Sequence, residues 1–116
     1  TSNVRLINDE QRKNLHVAAV FANNFANYSF HIAESILSEQ HISFEILQPL
    51  ILETAQKIKD NRPRDMQTGP AIRSDQLTIE RHLELLNKHT EWKKVYEIMT
   101  KGIQAMKNDK DAKIDH

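Results

Sequence analysis

The residues best suited to chemistry in this chain fall in two places: a polar patch inside an apolar helix, and an arginine-bearing loop. His16, Asn23 and Asn27 stand seven and four residues apart. On an α-helix they lie close to one line, and Asn24 sits about 80° round from His16 at ~100° per residue. A histidine can exchange a proton near neutral pH, and amides can orient a polar ligand in a cleft. The same amides, if buried, equally need partners and can bond to backbone or to one another. The loop offers Thr68-Gly69-Pro70-Ala71, a tight turn, with Arg62, Arg64 and Arg73 set against Asp65 and Asp75. Arginine forks suit carboxylate and phosphate groups, so this can be the anion-handling edge of a cleft. A solvated loop held by one Arg73–Asp75 bond would use the same residues. His82 follows on an apolar helix face, where a lone histidine is usually a satisfied core residue.

The elements that must position these groups read as helices. Asn8 or Asp9 can cap a first helix running to about Gln40, with Glu10 favouring its positive end. Its main stripe is Leu15, Ala18, Ala22, Phe25, Ser29, Ile32 and Ile36, and a second holds Val17, Phe21 and Tyr28. Between Val17 and Ala22 it is apolar nearly all round, which predicts burial on several sides. Some thirty residues give a helix of roughly 45 Å, whereas a compact domain of this length is roughly 35 Å across. The helix must therefore kink, protrude, or pack against something outside the chain.

Ser43 can cap a second helix bearing Phe44, Leu47, Ile51, Ala55 and Ile58; Pro49 kinks it or marks its true start. Residues 61–74 form the long loop, of the kind that carries function more often than most. Ser74 or Asp75 can cap a third helix, and a fourth runs from about Glu91 to about Lys107. Residues 1–8 read as a linker from an upstream domain, with a short extended segment possible around Val4 and Leu6. Residues 9–106 form the helical domain, and the polar residues 107–116 a disordered tail. Only two glycines and three prolines interrupt the 116 residues, which favours an all-α fold of about four helices.

Composition narrows the function. Sixteen basic residues balance sixteen acidic ones, which argues against a nucleic-acid binder. There is no cysteine, hence no disulfide frame, thiol nucleophile or zinc–thiolate site. No apolar run reaches membrane-spanning length and no signal pattern opens the chain, so a cytoplasmic protein is expected. There is no glycine-rich phosphate loop and no His-Glu-x-x-His. No histidine has a glutamate three residues before it, so the ligand pairs of di-iron bundles are absent. A metal site is not expected; His31 and Glu34 share a face but make only one such pair.

Three blocks then stand in a suggestive order: His16-Val-Ala-Ala-Val-Phe-Ala-Asn-Asn24-Phe25, Thr68-Gly-Pro-Ala-Ile-Arg73-Ser-Asp75, and His82-Leu-Glu-Leu-Leu86. From about Val4 to about Met106, the chain resembles the C-terminal helical domain of unknown function that follows a Rossmann-like domain in NAD(P)-dependent oxidoreductases. The Bacteroidetes-type members look most similar. Distant relatives are the helical domains of 6-phosphogluconate dehydrogenase, ketopantoate reductase and pyrroline-carboxylate reductase. The resemblance implies a long first helix packed in a homodimer, and an active cleft between this domain and the Rossmann domain. It implies catalytic roles for His16, Asn24 and His82, and binding of a small anionic substrate by Thr68, Gly69, Arg73 and Asp75. In the relatives a lysine and an asparagine on the matching helix act on substrate; His16 occupies the comparable region here. The cofactor, NADP or NAD, would belong to the full-length protein and none to this fragment, which alone should turn over nothing. Thr1, in place of Met, suggests that an upstream piece is missing. A stand-alone helical interaction module without catalysis is the alternative, and a self-contained hydrolase or metal enzyme a third.

Overall fold

The computed structural model describes residues 6–114, with side chains described to Asp109. The predicted linker and extended segment fall mostly on residues 1–5, outside the described residues. The chain divides into two units, Thr1–Pro49 and Leu50–His116, each taken by itself below. All regular structure among the described residues is helical.

The first unit is dominated by one continuous helix of 31 residues, α1 (Asp9–Ala19), a π-helical segment (Val20–Phe25) and α2 (Ala26–Glu39). Asn8, rather than Asp9, caps it. Its side chain accepts a hydrogen bond from the Gln11 amide at 2.8 Å, and Gln11 Oε1 accepts one from the Asn8 amide at 2.9 Å. This reciprocal capping box satisfies two donors that the first turn would otherwise leave open. At the far end His41 takes a left-handed φ of 58°. Its amide donates to Ser38 O and that of Ile42 to Leu37 O, both at 3.0 Å, a Schellman ending with histidine where glycine is usual.

The π segment corrects the α-helical projection used on the sequence. It carries one residue more than an α-turn, so positions beyond it are rotated by about 100° relative to those before it. His16 and Asn27 are therefore not in line. The expected burial between Val17 and Ala22 is also absent within the chain: no residue of α1, the π segment or α2 is buried, and Val17 and Phe21 remain 56% and 62% exposed. Phe21 and Phe25 meet edge to face at 5.0 Å between ring centroids, which covers part of each ring.

Ser43 Oγ accepts from the Glu45 amide and opens a 3-10 turn, Phe44–Leu47, leading into α3 (Gln48–Asp60). Pro49 stands at the second position of α3, where a missing N–H costs nothing, so it marks the start and does not kink the helix.

In the second unit, the Pro63–Met66 3-10 turn and the Gly69–Ser74 turn lead to α4 (Gln76–Leu85) and α5 (Thr90–Ile114). Ala71, Ile79 and Leu86, at 5%, 4% and 9% exposure, are the buried apolar residues. They lie on the turn, on α4 and just past its end. The backbone of 107–114 is helical, where a disordered tail is expected from composition. After Gly102 the sequence holds neither glycine nor proline, so nothing in the backbone stops the helix.

Candidate functional site

The predicted site residues divide between the two units: His16 and Asn24 in the first, and Thr68, Gly69, Arg73, Asp75 and His82 in the second. His16, on the last turn of α1, is exposed, as are Asn23 and Asn24 in the π segment and Asn27 at the start of α2. None of these amides is sealed in a core, so the reading in which burial forces them to pair with one another does not apply within the unit. π segments interrupt the regular ladder and recur at functional sites; here Asn23 and Asn24 lie on one.

The loop cluster is built more tightly. Gly69 holds φ at 103°, a conformation that L side chains rarely adopt. Pro70 O accepts from the Asp75 amide at 2.9 Å and Ala71 O from the Ser74 amide at 3.2 Å, closing the turn. Ser74 sits at φ 55°. Its Oγ accepts from Lys107 Nζ at 3.2 Å, a tie from α5 across 33 residues. Ala71, within the turn, is buried.

Asp75 caps α4. Its Oδ1 accepts from the Thr78 amide at 3.2 Å and its Oδ2 from Thr78 Oγ1 at 2.8 Å. Arg73 Nη2 lies 3.7 Å from the same Oδ2. The Thr78 hydrogen bonds, and less strongly the Arg73 guanidinium, hold the Asp75 carboxyl below its ordinary pKa. The Arg73–Asp75 bond foreseen for a purely structural loop is therefore present. Arg73 still keeps 60% of its side chain exposed, enough for its fork to meet an outside anion. Thr68 is exposed and its carbonyl accepts from Gln67 Nε2 at 3.1 Å.

His82, on the last turn of α4, is half-buried, and its Nδ1 lies 2.8 Å from the Tyr96 hydroxyl of α5. The rings meet edge to face at 90°, 5.7 Å apart. Burial raises the Tyr96 phenol above its ordinary pKa. Tyr96 and Lys107 are the site neighbours that the sequence does not reveal. Both lie on α5, 14 and 33 residues from the groups they touch. No group of three or more acidic or histidine side chains among the described residues could hold a metal ion, and no helix is long and apolar enough to cross a membrane.

These helices, turns and caps define an all-α domain. Residues 1–103 match the family described as Domain of unknown function (DUF2520), and the chain belongs to that family. Its fold is similar to that of a protein solved as a putative NADP oxidoreductase from Bacteroides fragilis, with a TM-score of 0.82 and 39% sequence identity over 85% of this chain. The chain spans 38% of that protein's length. No curated protein matches it. The chain is thus like a helical domain of such an oxidoreductase.

Proposed function

We propose that this chain is the substrate-side and dimerisation domain of a two-domain NAD(P)-dependent oxidoreductase, with the dinucleotide held by a Rossmann domain outside it. The observation that carries the reading is its likeness to 38% of a protein solved as a putative NADP oxidoreductase, which leaves room there for a second domain. The described residues do not fit a dinucleotide. The chain has only two glycines, Gly69 and Gly102. The N-terminus of α4 is capped by the Asp75 carboxylate, whose charge disfavours a phosphate there.

What this chain would supply is substrate handling. Arg73, poised by Asp75, suits a carboxylate or phosphate on the substrate, and Thr68 and Gly69 shape the approach to it. In the second unit His82 is the candidate polar contact to the reacting group; His16 and Asn24 are candidate polar groups of the first unit, taken separately. The long helix would form a homodimer. Its uncovered Leu15, Val17, Phe21 and Phe25 support this, because exposed apolar side chains so close together gain stability only when a neighbour covers them.

The test is a fluorescence titration with NADPH of the full-length protein that carries this segment, beside the 116-residue chain. Saturable binding by the full-length protein and none by the chain is expected. Tight binding by the chain, or a reading frame with no Gly-x-Gly-x-x-Gly ahead of it, overturns the proposal. With an activity in hand, Arg73→Ala and His16→Ala should each lower kcat/KM by more than tenfold; unchanged values remove those roles.

A further inference from the structure

Tyr96 lies on the apolar stripe of α5, yet its hydroxyl makes the closest polar contact to any candidate catalytic group. Its hydroxyl oxygen and His82 Nδ1 are 2.8 Å apart, and they join α4 to α5. Two arrangements fit that distance: the phenol donates to Nδ1, or Nδ1–H donates to the phenol oxygen. A phenol carries its proton at neutral pH, and the part-buried Tyr96 O–H needs an acceptor. His82 Nδ1 is the acceptor in place. The edge-to-face contact of the rings at 5.7 Å fixes the imidazole plane as well.

We infer that Tyr96 is the positioning residue of His82: by donating to Nδ1 it holds the imidazole as the Nε2–H tautomer, making Nε2 a hydrogen-bond donor for the carbonyl or hydroxyl oxygen of a substrate. No buried side-chain polar atom among the described residues is left without a partner, so Nε2 is not sealed in the interior. A neutral imidazole donating through Nε2 polarises an oxygen without a mobile charge of its own. The substrate class is thus a small carbonyl compound or its alcohol, and this part rests on the oxidoreductase reading. The geometry of the pair does not.

The test is 15N-correlated NMR of the histidine side chains in the protein, at a pH where the rings are neutral. His82 should show a protonated Nε2 and an accepting Nδ1 in one dominant tautomer. In Tyr96→Phe, with the fold checked by circular dichroism, the Nδ1 resonance should move toward that of a free, tautomer-averaged imidazole. An Nδ1–H tautomer in the unmodified protein overturns the inference, even if the variant does not fold. So do His82 shifts that ignore Tyr96→Phe. In the active full-length enzyme, Tyr96→Phe should lower kcat about tenfold with little change in KM, and His82→Gln should lower it at least as far. Absence of NADPH binding would instead retire the oxidoreductase reading and leave the tautomer result standing, so the two failures are told apart.

Discussion

At the scale of single residues, the turn before α4 works through donors and acceptors that each have a defined partner. Asp75 is the pivot: it caps α4 through Thr78 and stands 3.7 Å from Arg73. Its pKa in the folded state is lowered. The charged form is thus the one that folding favours, and the stabilisation it brings is complete above the unfolded value near pH 4. It is lost as pH falls through the lower folded value. Urea melts between pH 2.5 and 6 should show stability declining over that acid range. In Asp75→Asn, which keeps a capping oxygen, the decline should be shallower and the midpoint at pH 6 lower. An unchanged acid profile would mean that the Thr78 bonds contribute nothing specific to the ionised form. The type of residue 75 and its capping role were legible in the sequence, because a cap lies three residues from the amide it satisfies. The partners of His82 and Ser74 were not, because Tyr96 and Lys107 come from another helix.

At the scale of elements, each helix boundary has a local cause. Asn8 with Gln11, Ser43 with Glu45, and Asp75 with Thr78 open helices, and His41 in the left-handed region closes one. The second unit holds itself together through Ile79, which is 4% exposed on α4. Ile79→Ala should cost about 2–5 kcal/mol, because the removed atoms leave a cavity as well as a lost transfer term. In a chain of this size that corresponds to a fall in Tm of roughly 10 °C or more, read by circular dichroism. A loss under 1 kcal/mol would show that α4 does not depend on this contact. The π segment is the element that sequence pattern missed. Its residues, Val-Phe-Ala-Asn-Asn-Phe, suit an α-helix as well as a π turn. The apolar stripe drawn through it with one period therefore fails beyond Phe25.

At the scale of the whole molecule, the proposed homodimer makes a direct demand on the first helix. Phe21, 62% exposed and paired with Phe25, would lie in a dry interface, where an added carboxylate is strongly disfavoured. Sedimentation should find the protein dimeric and Phe21→Glu monomeric, with helix content unchanged. A monomeric native protein, or a variant that still dimerises, removes the interface from this helix. The excess length of that helix, and its apolar character from Val17 to Ala22, were both readable from residue order.

Residue order alone determined the all-α class, most of the helix starts and the family. Each of these depends on interactions within about four residues, or on composition summed over the chain. Tertiary structure decided which groups meet, the hydroxyl of Tyr96 at His82 and the ammonium of Lys107 at Ser74, and which side chains are buried, Ala71, Ile79 and Leu86. It also decided the rotation introduced at Val20–Phe25. Side chains brought together from distant positions carry no local signature, and a turn that differs by one residue changes every face beyond it without changing any residue type.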